Sequence, residues 1–288
     1  MRKDPPKPTA SRTQTLLRKL ESLPKRVLTQ PTPEDVHQLR TTIRRFETLS
    51  ATGPAEKTDG FGKLLKQLRR IRRRAGKLRD IDVQAAALRT VRAGNKRDRN
   101  ELKQFLQQVH DDCARKLVRT IKGELDDGLE KRLRHAATAF SEPADTVRPG
   151  ALAAALGKFA SLAEHYPPLN EENLHDFRMD CKRIRYEAEM EPASLTAKRT
   201  LKQFKRIQDA IGEWHDWVNL AQSAEKVAAT EHSPLLSAIR AVRQAKFNEA
   251  LRISAEARGL LLELQASLPP AEAAPVAPPA ASEPPGAN

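Results

Sequence analysis

The feature that most constrains this chain is a basic segment that occurs twice, in order, at nearly constant separation. Val36-His37-Gln38-Leu39-Arg40 through Arg44-Arg45-Phe46 returns as Leu174-His175-Asp176-Phe177-Arg178 through Lys182-Arg183-Ile184, 138 positions later (37 to 175, 44 to 182). A second block, Leu65 to Ile71 with Gly76 and Asp80, returns as Leu201 to Ile207 with Gly212 and Asp216, 136 positions later (65 to 201, 76 to 212). Two ordered blocks with a drift of only two residues imply an internal duplication, and hence two similar halves packed together. At 288 residues each half is of ordinary domain size.

The text between the blocks reads as helix after helix. Gly and Pro punctuate the segments, and β-branched alternation is absent. Thr32-Pro33-Glu34-Asp35, Asn170-Glu171-Glu172 and Ser233-Pro234 are written as helix starts. Gly94 and Gly123 read as stops. The expected helices are 11–22, 33–51, 60–75, 78–93, 97–122, 124–141, 150–165, 171–191, 196–211, 214–230 and 234–267. The expected fold is all-α: two pseudo-symmetric antiparallel helical bundles with a basic cleft or pore between or along them. Residues 11–142 form the first half, 143–150 a linker and 151–267 the second half. The Pro-rich residues 1–10 and the Pro/Ala-rich residues 268–288 cannot bury a core and are expected to be disordered.

Charge then narrows the function. The net charge of +14 directs the chain toward polyanions. Cys113 and Cys181 lack metal or disulfide-framework spacing, no apolar run has membrane-span length, and no apolar h-region follows the first residues. A reduced, cytoplasmic setting without membrane insertion is therefore the expectation. At about 100° per residue, His37, Arg40 and Arg44 share an arc of about 60°, while Leu39, Ile43 and Phe46 face the core. His175, Arg178, Lys182 and Arg185 repeat the stripe. Lys66, Arg69, Arg70, Arg73 and Lys77 fall within about 100° on the next helix, opposite Leu64, Leu68, Ile71 and Ala75. Their second copy keeps Lys202, Lys205 and Arg206 but has Asp209 and Glu213 in place of Arg73 and Lys77, so the first half should grip anions harder.

Most basic runs are simply solvated faces. Residues 61–82, however, hold nine cations against two acids, too few for the mixed-sign pairs of an ordinary exposed helix. Such a face repels itself unless an anion lies on it. His37 and His175 open the stripes and can donate to a phosphate oxygen, although a helical His is as often packed or capping. Asp80 and Asp216 read as anchors for neighbouring cations or as caps. Gly76 and Gly212 read as a kink or a close helix approach.

The motifs His37-x-x-Arg40-x-x-x-Arg44-Arg45, Leu65-Lys66-x-x-Arg69-Arg70 with Gly76-x-x-Arg79-Asp80-x-Asp82-Val83, and Leu174-His175-x-x-Arg178-x-x-x-Lys182-Arg183-x-Arg185-Tyr186 resemble the CHAD (conserved histidine α-helical domain) family. The resemblance spans about residues 11–267. It implies two helical bundles around a basic cleft that binds inorganic polyphosphate, without cofactor or metal. It implies as ligands His37, Arg40, Arg44, Arg45, Lys66, Arg69 and Arg70, then His175, Arg178, Lys182, Arg183, Arg185, Lys202, Lys205 and Arg206. Arg73, Lys77 and Arg79 extend the first stripe. Glu47 stands opposite Arg185 in the alignment of halves, and His215 opposite Arg79.

The expected function is non-catalytic polyphosphate binding, with polyphosphate granules as a natural location. Nucleic acid is the rival partner. Aromatics are only 4% of residues and just Tyr186 borders a stripe, which disfavours base stacking but leaves duplex backbone binding open. A phosphohydrolase is the rival enzyme. His110-Asp111, His175-Asp176 and His215-Asp216 lack an accompanying carboxylate cluster, and His175 stands in a cationic stripe that repels a divalent metal.

Overall fold

A computed structural model describes residues 12–50, 60–125, 127–139, 150–192, 194–227 and 233–268. The described residues form nine α-helices and no strand: α1 (Arg12–Thr29), α2 (Pro33–Ser50), α3 (Phe61–Thr90), α4 (Lys96–Glu124), α5 (Asp127–Ala139), α6 (Ala151–His165), α7 (Leu174–Ala188), α8 (Leu195–Val227) and α9 (Pro234–Ala266). The all-α expectation holds. The arm at 1–10, residues 143–149 of the linker and the tail from 269 lie outside the described residues.

Helix starts follow local chemistry. Thr32 Oγ1 accepts from the Asp35 amide at 3.2 Å and opens α2. Ser233 accepts from the Leu236 amide and opens α9. Asn170 instead closes a turn, accepting from the amides of Glu172 and Asn173, and α7 begins only at Leu174.

Three boundaries differ from expectation, for one reason. The segments 60–75 and 78–93 are a single helix, as are 196–211 and 214–230, and α1 continues through Pro24 to Thr29. One helical glycine costs about 1 kcal/mol and a proline about 3 kcal/mol. Burying Leu23 and Val27 beyond the α1 break, and Leu78 beyond Gly76, offsets this at about 1.5–3 kcal/mol per side chain. Gly123, read as a stop, lies within the last turn of α4.

Three apolar cores organise the helices. The first joins α1 to α5 through Leu20, Leu39, Ile43, Phe46, Leu68, Ile71, Leu117 and Leu133. The second joins α6 to α9 through Phe159, Phe177, Cys181, Phe204, Ile211 and Leu261. A third, which the bundle expectation did not include, combines Leu88, Leu102 and Leu106 of α3 and α4 with Trp217, Leu220, Leu236 and Ile239 of α8 and α9. Inside this joint the Ser223 hydroxyl donates to Gln84 Oε1 at 2.7 Å. The joint packs α3 along α8 and thereby sets α2 and α7 relative to each other. Among the described residues no helix is long and apolar enough to cross a membrane.

Candidate functional site

In each half one glycine underlies an arginine of the neighbouring helix. A Cβ at Gly76 of α3 would lie 3.6 Å from Arg40 Nε of α2, and one at Gly212 of α8 would lie 3.3 Å from an Nη of Arg178 of α7. The first is ordinary contact and the second is tight, so the missing Cβ makes room for the arginine at Gly212. Both glycines lie inside continuous helices. Arg178 Nε also donates to the Gln208 carbonyl at 3.1 Å, which fixes its fork.

Around these arginines the two halves bring their cations together. Burial pushes the Lys182 ammonium down to about 8, helped by the charges of Arg44, Arg178, Arg40 and Arg72. Burial, then Arg40, likewise lowers Arg44, and burial, then Arg44, lowers Arg178. Both guanidiniums still stay charged at neutral pH. His37 is lowered by burial and by Arg79. His215 is lowered by burial and by His175, whose ring centroid lies 5.4 Å away. One cleft thus collects α2 (His37, Arg40, Arg44), α3 (Arg72, Arg79), α7 (His175, Arg178, Lys182) and α8 (His215).

Two carboxylates stand in the same cleft. Burial, then the charge of Asp80, raises Asp216 to about 6. Burial likewise raises the Asp80 carboxyl, although part of its surface stays open, against the opposing pull of Arg40 and His215. Among the described residues neither forms an ion pair within 4 Å, so the acids temper the field without neutralising any one cation.

The partition of partners is the main result. Among the described residues Arg40, Arg44, Arg79, Arg178 and Lys182 make no ion pair, and Arg44 Nε and His37 Nδ1 are buried without a hydrogen-bond partner. The outer cations are committed elsewhere. Arg69 lies 3.7 Å from Glu47, and Arg72 Nε lies 2.8 Å from the same residue without hydrogen-bond alignment. Arg70 bonds Glu124 at 2.9 Å, Arg183 bonds Asp180 at 3.0 Å and Arg206 bonds Glu256 at 3.0 Å. Lys205 pairs with Asp209, and Arg185 lies 3.4 Å from Glu189. Arg45, Lys66 and Lys202 are exposed and form no ion pair among the described residues, and Arg73 and Lys77 face α4.

Sequence reasoning missed Arg72 and did not count His215 or Tyr186 as site residues. Lys182 Nζ and Arg185 Cζ sit 5.8 Å and 5.2 Å from the Tyr186 ring centroid, so the ring attracts both cations. The signal for Tyr186 was its place in the second motif. Arg72 sits about 40° from Gly76 on the helical wheel and could have been found that way. The His110-Asp111 pair serves α3–α4 packing instead, with His110 Nε2 3.4 Å from Asp82. Among the described residues no group of three or more His, Cys, Asp or Glu is arranged to hold a metal ion.

These features define an all-helical domain built around a cleft of half-buried cations that form no ion pair among the described residues. The family model described as CHAD domain matches residues 12–225, and the chain belongs to that family. The crystal structure of the CHAD domain from the plant Ricinus communis shares this fold, with a TM-score of 0.54 and 20% identity over 88% of this chain and 84% of that one. No curated protein sequence matches.

Proposed function

We propose that the cleft binds inorganic polyphosphate and does so without catalysis. The observation that carries this is the set of five central cations without an ion pair among the described residues, one of them a lysine whose charge the cleft itself disfavours. A fold holds such a set at a cost, because each buried charge loses water and repels the others. A linear anion with one charge per unit reverses both effects along the whole set at once. Arg40, Arg44 and Arg178 offer forked donors to successive phosphates, Lys182 offers a point charge, and His37 and His215 offer single ring donors. Release of condensed counterions supplies much of the drive and makes binding salt-dependent.

The non-catalytic part rests on the donor set. Asp80 and Asp216 stand among Arg40, Arg79 and Arg178, whose charges oppose a divalent cation there. Long-chain polyphosphate, duplex DNA and single-stranded RNA should be competed at about 0.15 M salt. Polyphosphate is expected to win at equal charge, with no orthophosphate released in Mg²⁺ or Mn²⁺. Equal or tighter DNA binding refutes the partner, and steady orthophosphate release by the pure protein refutes the absence of catalysis.

A further inference from the structure

Helix α3 is basic on two flanks. One faces the cleft. On the other, Arg70, Arg73, Arg74 and Lys77 line a groove of about 490 Å³ with Arg119, Thr120, Gly123 and Glu124 of α4. That volume lies in the range of ligand sites. Arg70 alone in the groove is ion-paired, to Glu124. Arg73, Arg74, Lys77 and Arg119 are exposed and make no ion pair among the described residues.

The second half shows that the fold does not need these charges. Positions 136 later than Arg70, Arg73, Arg74 and Lys77 are Arg206, Asp209, Ala210 and Glu213. They line a groove of about 220 Å³ between α8 and α9. There Lys246 bonds Glu213 at 2.9 Å and Glu249 at 3.1 Å, and Arg206 bonds Glu256. The corresponding helix pair therefore packs with its charges matched. The excess in the α3–α4 groove is a property of its surface.

We infer that the α3–α4 groove is a second anion subsite, taking a further stretch of the phosphate chain held by the central cleft. This rests on the proposed function. Arg73 and Lys77 are exposed about 60° and 100° around α3 from Gly76, on the crest between the flanks. A helix with its side chains is about 10–12 Å across, so a long chain crosses this crest and a short one stays in the cleft. The second half has no counterpart, and the chain leaves the cleft on one side only.

The test uses calorimetric titration of the full chain with long-chain polyphosphate and with tripolyphosphate. The groove variant is R73Q/R74Q/R119Q. A control, R92Q/K96Q/K103Q, removes the same charge from exposed positions at the other end of α4, where Lys96 and Lys103 lie more than about 20 Å along the helix from Arg119 and Arg92 just precedes it. The groove variant should lose about tenfold in long-chain affinity, from three exposed charge contacts. Its salt slope should fall by about 2. Its tripolyphosphate affinity and the control's long-chain affinity should match the parent. Parent-like long-chain binding by the groove variant overturns this inference alone. So does an equal loss in the control or an equal loss for tripolyphosphate. A parent that binds no polyphosphate overturns the proposed function as well.

Discussion

Lys182 gives the cleft a pH signature that ordinary basic patches lack. Its ammonium is held at about 8 by burial and by Arg44, Arg178, Arg40 and Arg72, against an ordinary 10.5. At pH 7 about nine-tenths of the molecules carry this charge, and at pH 9 about one-tenth. A polyanion in the cleft stabilises the charged form and returns its pKa toward the ordinary value. Affinity should then fall about tenfold from pH 7 to pH 9, with nearly one proton taken up per site at the upper end. The sign for folding is opposite. A depressed pKa contributes stability above 10.5 and loses it as pH falls through about 8, so the unliganded fold strengthens over the window in which binding weakens. Lys182→Arg separates this lysine from everything else that titrates, because arginine keeps its charge throughout. Polyphosphate titrations at pH 7, 8 and 9 in two buffers of different ionisation enthalpy read both affinity and proton uptake. Affinity independent of pH in the parent, or the same fall in Lys182→Arg, refutes the assignment of Lys182 to the anion site.

The acid limb should run the other way: Asp216, raised to about 6, contributes stability below 3.8 and loses it as pH rises through about 6, while its protonation removes a negative charge from the cleft. Polyphosphate affinity should therefore rise from pH 7 to pH 5, with His37 and His215 adding charge at the lower end, and Asp216→Asn should flatten the rise; an identical rise in that variant refutes the role given to the carboxyl. Gly94 links α3 to α4 at φ 95°, where an added Cβ would lie 2.6 Å from Leu235 Cβ in the third core. Gly94→Ala should cost about 2–4 kcal/mol in urea unfolding, from left-handed backbone and overpacking, and parent-like stability would contradict this geometry.

Much of this protein is written in local pattern. The apolar period placed Leu39, Ile43 and Phe46 in the core, and the same period put His37, Arg40 and Arg44 on the opposite arc. Both are properties of a single helix, so one segment suffices to read them. The caps of α2 and α9 were equally legible, since each depends on a side chain three residues from the amide it satisfies. Gly76 and Gly212 were ambiguous. A helical glycine fits either reading, and only the tertiary structure shows Arg40 over the one and Arg178 over the other.

The charges show where local pattern stops. Arg40, Arg69 and Arg70 look alike in a basic stripe, yet Arg69 meets Glu47, Arg70 meets Glu124 and Arg40 forms no ion pair among the described residues. Each partner comes from another helix, far away in sequence, so neither spacing nor composition could reveal it. The third core is of the same kind, because Leu88 and Trp217 meet only through the packing of α3 on α8. The sequence by itself determined the helices, their faces and the excess of positive charge, since a helix's period and caps act within a few residues. Tertiary structure decided which cations are neutralised and which are left buried and unpaired, because Coulomb energy and desolvation depend on distance through space.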